Sequence, residues 1–404
     1  MATTTVTPKR RARSESTWAV AWRRLRRHRF AMISLAILAI FILVAIFAPY
    51  LAPYDPFRQP RGAGIRAQFF QPPSSVHWLG TDDLGRDVFS RLIFGARISL
   101  LVGFTVAFSN IFVGTIMGTL AGYFSGRPFR FYLGPLNREG GGWHLPFALW
   151  RVLSWLLFYG ALYLVARIAW TLAGPAVQAG FAGEWTTNSL FSALGLGVAL
   201  AVVAAGAVWG VAGRFRLDID IAISRLIDFM LTIPSLPLLL ILSALLRDPG
   251  TGFGRWTQAI FGDAASVFII IFILALFGWI SSARLVRGSI LSIREQDFTT
   301  AAQALGVPQW RIMFRHLVPN AMAPIIVDGT LAVGVAILVE AALSFLGFGI
   351  QPPVATWGNM LNNAQNYIFF APWLAFPPGI LIVITVLAIN FLGDGLRDAL
   401  DPRS

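Results

Sequence analysis

Eight apolar runs, most of them about as long as a membrane-crossing helix, constrain this chain more than any other feature. They lie near residues 30–50, 98–122, 147–172, 189–212, 221–246, 265–283, 321–345 and 374–393. A hydrocarbon core about 30 Å thick is crossed by about 20 apolar residues of helix. Composition agrees: the 404 residues are 56% hydrophobic and 13% charged, with a mean hydropathy of +0.68. That is well outside the balance of a soluble domain. Most of the chain is therefore expected in lipid, as an all-α, polytopic helical bundle. The first run follows "RRLRRHRF", which is like the n-region of a signal peptide. The run is longer than the 7–15 apolar residues of such a peptide, so it reads as a retained anchor. Residues 1–17, rich in Thr and Arg, read as a disordered tail.

The formal net charge is +13 and the isoelectric point about 11.2. A nucleic-acid surface would need those charges on one coherent face. Here they flank the apolar runs, so no nucleic-acid partner is expected. Short cytoplasmic loops carry an excess of Lys and Arg. Lys9, Arg10, Arg11, Arg13, Arg23, Arg24, Arg26, Arg27 and Arg29 put the basic tail, 1–29, inside. Alternating from there, the segments with Arg127, Arg130 and Arg138, with Arg214 and Arg216, and with Arg284, Arg287, Arg294, Arg311 and Arg315 also fall inside. Segments 173–188 and 346–373 fall outside and contain no arginine. Segment 51–97 falls outside although it holds five arginines between Arg58 and Arg91, partly offset by Asp55, Asp82, Asp83 and Asp87. The count places both termini in the cytoplasm.

Between two apolar runs sits "TTAAQALGVPQWRIMFRHLVPN", residues 299–320, which is mixed, basic and broken by Gly306 and Pro308. By the same count it is cytoplasmic. Residues 289–305 read as the end of a membrane helix continuing into an Ala-rich one. Gly306 suits a helix C′ position needing positive φ, and Pro308 the first turn of the next helix. That helix is expected to place Trp310, Phe314 and Leu317 on one face and Arg311 and Arg315 on another. Periodicity alone leaves open an interfacial float, a connector folded onto its own bundle, or a docking element for a partner.

The spacing Ala301-Ala302, Gly306, then "HLVPN" ending in Pro319–Asn320, resembles the EAA loop of permease subunits of bacterial ABC importers. Four collinear stretches widen the likeness: "HWLGTDDLGRDVFSRLIFGARISLLVG" (77–103), "GTIMGTLAGYFSG" (114–126), "ARLVRGSILSIREQDF" (283–298) and "AALSFLGFGIQPPVATWGNML" (341–361). Together they resemble the dipeptide, oligopeptide and nickel branch, and within it the second permease subunit. Thr300 stands where that family often has its eponymous glutamate. The resemblance implies a type I importer permease with six core spans, here with two inserted ones. It implies a second permease, two ATPase subunits and an extracytoplasmic binding protein as partners, in a bacterial or archaeal cell membrane. It also implies that 289–320, through Ala301, Ala302, Gly306, Trp310, Arg311, Phe314, Arg315 and Pro319, couples to the ATPases. Peptides are the implied cargo, with nickel, glutathione or oligosaccharide as alternatives.

Each motif also has a reading of its own. Thr81 is expected to cap a helix whose first turn holds Asp82 and Asp83, with Asp83–Arg86 and Asp87–Arg91 pairing along it. Gly114, Gly118 and Gly122 form a small-xxx-small stripe for close helix packing. Ionisable residues inside spans are costly and face a partner or a water-filled path. Asp228 is expected to pair with Arg225. Asp328, on the cytoplasmic half of its span, and Glu340, near the outer interface, either line a translocation path or bond to a neighbouring helix. Pro234 and Pro237 are expected to kink their helix.

Residues 127–213 have no counterpart in the resemblance and are read as an insertion of two spans. The remainder divides into the first span (30–50), a GTDxxGRD-bearing segment (51–97) and a permease core (98–126 with 214–397). Other classes fit poorly. A self-sufficient secondary transporter or channel would show two similar halves. An intramembrane enzyme would need a motif such as HExxH or GxSxG, and His28, His77, His144 and His316 are scattered over separate loops. Lys9 is the only lysine and Cys is absent, so the chain has neither a Walker lysine after a glycine loop nor thiolate chemistry. No catalytic residue, cofactor or metal is expected.

Overall fold

The computed structural model describes residues 17–59, 68–126, 129–130, part of 156–204, and 216–401. It divides into two compact units, Met1–Tyr123 with Arg225–Ser404, and Phe124–Ser224. Both predicted spans of 127–213 lie largely outside the described residues. Within the second unit the two-residue strands Phe129–Arg130 and Arg216–Leu217 pair antiparallel.

Among the described residues the regular elements of the first unit are helices. Helix α1 spans Thr17–Arg27, where a wholly disordered tail was expected to end, and α2 spans Arg29–Ile46. His28 separates them and caps α2, its Nδ1 accepting from Ala31 N at 3.2 Å. Helix α3 runs Val88–Phe124 and starts ten residues before the apolar run that announced it. Helices α4, Ile219–Thr232, and α5, Ser235–Arg247, meet at 87°. The expected kink in one helix is thus a complete break: Pro234 lacks the N–H to continue α4 and caps α5, while Pro237 is tolerated in the first turn of α5. A short helix α6, Gly252–Phe261, precedes α7, Ala265–Arg294. Then come α8, Asp297–Ala304, α9, Met322–Phe345, α10, Trp357–Ala364, and α11, Phe376–Leu400. Among the described residues five helices are long and apolar enough to cross a membrane, or six if the bent α4–α5 pair counts as one.

The core lies where α3, α7 and α9 meet, with Val102, Val106, Ile270, Ile273, Ala336 and Leu343 buried together. The glycine stripe fits α3 to α7 there. A Cβ added at Gly118 would stand 2.8 Å from Val286 Cβ, and one at Gly122 2.9 Å from Ile290 Cβ. Large apolar side chains also cover the outside: Phe108 is 72% exposed, Val335 60% and Val383 56%. Water would oppose such a surface; lipid or a second membrane subunit would not.

Candidate functional site

The polar hairpin between α7 and α9 is held by hydrogen bonds at its start and within it. Arg294, the last residue of α7, donates from Nη1 to the carbonyls of Gly122 (3.3 Å) and Tyr123 (3.1 Å) at the end of α3. Buried Thr299, in the first turn of α8, ties back through Oγ1 to Ile293 O at 3.2 Å. The end of α8 is closed by a double hydrogen bond: Gly306 N donates to Gln303 O (3.0 Å) and Val307 N to Ala302 O (3.1 Å). This is a Schellman motif, which requires the left-handed backbone that Gly306 adopts at φ +73°. Pro308 then caps the following helix, which opens with Gln309–Arg311 and passes through a π-helical turn, Ile312–Leu317, into Val318–Asn320.

That turn redistributes the side chains. Ile312, Met313 and Leu317 are buried, whereas Leu305 is 83% exposed, Trp310 61% and Phe314 45%. The predicted Trp310–Phe314–Leu317 face is therefore incorrect at its last member. In a π turn, bonded i to i+5, three residues cover less rotation than in an α-helix, so Leu317 turns inward. Leu305 takes its place on the exposed apolar surface, where the helix period assigned it no role. Ala301, Arg311, Arg315 and Pro319 are exposed and Ala302 is half-buried. The Arg311 guanidinium lies 5.4 Å from the Trp310 ring centroid.

The three carboxylates singled out in the sequence each have at least one hydrogen-bond partner. Asp228 accepts from Arg284 Nη2 of α7 at 3.0 Å, not from Arg225. Helical side chains lean toward the N-terminus, so Arg225, one turn before Asp228, points away from it. Asp328 accepts from Ser282 Oγ at 2.5 Å. It also lines a cleft of about 460 Å³ with Pro324, Leu331, Asp394 and Arg397. Glu340 is fully buried and accepts from Ser344 Oγ at 2.7 Å, with the hydroxyls of Ser99 and Thr356 also facing it. Each of those hydroxyls already accepts a backbone N–H, from Ile350, Trp357 and Asn359 respectively for Ser344, Ser99 and Thr356. The Ser344 proton goes to Glu340 Oε1, and the carboxylate is buried where α3, α9 and the start of α10 meet.

An apolar-tipped hairpin and buried carboxylates in a helical bundle fit a membrane machine, and comparison with known proteins says which. Residues 197–404 match the model of the binding-protein-dependent transport system inner membrane component, and residues 16–73 the N-terminal TM domain of oligopeptide transport permease C. The chain belongs to this family of permeases. Similar relatives include the dipeptide transport system permease protein of Alkalihalophilus pseudofirmus, 33% identical over 393 residues, covering 96% of this chain and 90% of the relative. The oligopeptide transport system permease protein of Bacillus subtilis is 30% identical (97% and 91% covered). The glutathione transport system permease protein of Escherichia coli O6:K15:H31 is 31% identical (96% and 90% covered).

In this permease the "GTDDLGRD" stretch is built differently from the expectation. Residues 81–87 form a turn, not a helix; Gly80 and Gly85, at φ +74° and +73°, make it tight, and α3 begins only at Val88. Thr81 caps no helix. Its Oγ1 accepts from Gln71 N (2.9 Å) and donates to Gln68 O (2.6 Å). The cap is Asp87, whose Oδ2 accepts from both Ser90 N and Ser90 Oγ at 2.7 Å while Oδ1 lies 2.9 Å from His77 Nδ1. Arg91 therefore pairs with Asp82 (3.5 Å), not Asp87. Asp82 also takes Arg86 Nε at 2.7 Å, and Asp83 lies 3.7 Å from Arg86 Nη2. Burial, reinforced by the neighbouring Asp82 charge, raises the Asp83 carboxyl above its usual pKa of 3.8.

Proposed function

We propose that this permease is a membrane subunit of an ATP-driven importer of di- and oligopeptides. It forms the translocation path with a second permease, receives cargo from an extracytoplasmic binding protein, and takes its power stroke from two ATPase subunits. The observation that carries this is the hairpin of residues 297–320, fastened at its start to α7 by Thr299 beside the Arg294 link to α3, while Leu305, Trp310 and Phe314 are exposed. An exposed apolar ridge on a polar connector is suited to docking in a groove. Ala301, Ala302, Gly306, Arg311, Arg315 and Pro319 complete the proposed coupling surface. Asp328, which lines a cleft, is the strongest candidate for contact with the path; Asp228 is paired with Arg284 and Glu340 is fully buried. ATP hydrolysis belongs to the partner ATPases in this reading, since the sequence offers no Walker lysine. Both termini and the hairpin are cytoplasmic in this reading, and 127–213 is an insertion crossing twice, which a topology reporter between Gly174 and Asn188 tests.

Affinity purification of the tagged full-length chain is expected to bring down ATPase subunits, and serine at Trp310 and Phe314 to release them while the second permease remains. Retention of the ATPases by that variant would reject the coupling surface. Mass analysis of what co-purifies with the cognate binding protein is expected to find short peptides. Nickel or an oligosaccharide instead would overturn the cargo assignment. Glutathione, itself a peptide, would narrow it to that of the glutathione relative.

A further inference from the structure

The N-terminal helix carries a second concentrated charge that coupling and transport leave unused. Arg23, Arg24, Arg26, Arg27 and Arg29 fall within seven residues, and no acidic residue occurs between Glu15 and Asp55. The helix is two-sided. On its inner side Leu25 is buried with Ala31 and Ala399, and Arg24 Nη1 donates to Asp401 O at 2.7 Å, which docks α1 on the last turn of α11. The Asp398 carboxylate, in the last turn of α11, is 3.9 Å from His28 Nε2. The outer side is basic and aromatic. Trp22 is 44% exposed with the Arg26 guanidinium 5.1 Å from its ring centroid, and Arg23, Arg26 and Arg27 are exposed. Arg29, also exposed, opens α2, and outward apolar side chains begin at once with Phe30 (64%) and Ile33 (56%).

This order fixes the height of the arginines. Phe30 and Ile33 start the part of α2 that belongs in hydrocarbon, so the preceding turn stands at the headgroups, where tryptophan and arginine are favoured. We propose that the Trp22, Arg23, Arg26, Arg27 and Arg29 face of α1 binds the phosphates of anionic phospholipid headgroups, holding α1 and the end of α11 together at the membrane surface. The proposal rests on the membrane placement of α2 given above. Clusters of arginine beside a membrane helix attract anionic lipid by charge.

The test uses the full-length chain with its co-purifying subunits in nanodiscs of mixed phosphatidylcholine and phosphatidylglycerol. Tightly retained lipid is counted by native mass spectrometry, and bound ATPase is scored in the same samples. Wild type is expected to enrich phosphatidylglycerol. Arg23→Gln/Arg26→Gln/Arg27→Gln is expected to lose that enrichment by about tenfold or more, and the triple lysine variant to keep most of it. No enrichment in wild type, equal enrichment in the glutamine variant, or equal loss in the lysine variant overturns the proposal. So does displacement of the lipid by inorganic phosphate but not by chloride of the same ionic strength, which would mark a site for free phosphate. ATPase retention reads the importer assignment separately: its absence from wild type breaks that assignment, and its presence beside unaltered lipid binding breaks only this one.

Discussion

Two polar stretches interrupt the apolar runs of this permease, residues 81–91 and 297–320, and they use their side chains in opposite ways. The first turns its charges inward: Asp82, Arg86, Asp87 and Arg91 are all less than a tenth exposed and bonded to one another, to His77 or to backbone. The second satisfies its backbone through local turns and puts Leu305, Trp310 and Phe314 outside. Buried charge needs a partner, and exposed large apolar surface needs a cover. The first stretch is therefore a structural knot at the head of α3, and the second is the handle proposed above.

If this contrast is right, the largest effect on stability comes from the knot. Arg86→Ala leaves Asp82 buried with half its ion pairing gone and is expected to cost about 3–5 kcal/mol, read as a lower unfolding temperature of the purified protein in detergent. A similar loss from Trp310→Ser would erase the distinction. Next comes the handle: Trp310→Ser with Phe314→Ser should leave the unfolding temperature unchanged but weaken ATPase binding about 30-fold or more, from about 2 kcal/mol of lost anchor contact. Arg311→Glu, at the edge of that surface, should weaken it less.

Gly306→Val lies between the two. A Cβ there meets no atom within 4 Å, so its cost is the backbone alone, about 1–2 kcal/mol for a side chain at φ +73°. Transport should fall while the amount in the membrane holds, and Gly306→Asn should recover most of it. Asp83 gives the smallest effect. Its raised folded-state pKa means that its contribution to stability is full below the usual 3.8 and is lost as pH rises through the raised value. Asp83→Asn should therefore be slightly more stable than wild type at neutral pH, the difference vanishing in acid; a variant less stable at neutral pH would show that the carboxylate is needed in its charged form.

Much of the handle was legible because its determinants are local. Gly306 announces a positive φ, Pro308 a helix start, and the Ala-rich stretch a short helix, and each is found in place. Leu317 was assigned wrongly because a π turn leaves no simple trace in hydrophobic period, and Leu305, at the end of α8, was given no role. The knot was legible as a density of charge and in the Asp83–Arg86 pair, which forms at 3.7 Å. Spacing suggested Asp87–Arg91 along a helix, but two glycines turn the chain before α3 begins and hand Asp87 to His77 and Ser90. Asp228 shows the same limit, since its partner Arg284 stands on another helix, 56 residues away.

By itself, then, the sequence determined that the chain is a bundle of apolar helices, where its principal breaks fall, and which connector departs from the rest, since apolar length, proline and glycine act through backbone geometry within a few residues. Tertiary structure decided which polar side chains meet, as in Asp228 with Arg284 and Asp328 with Ser282, and which residues are buried between helices. Those outcomes depend on helices distant in sequence being brought within about 4 Å, the range at which side chains bond and pack.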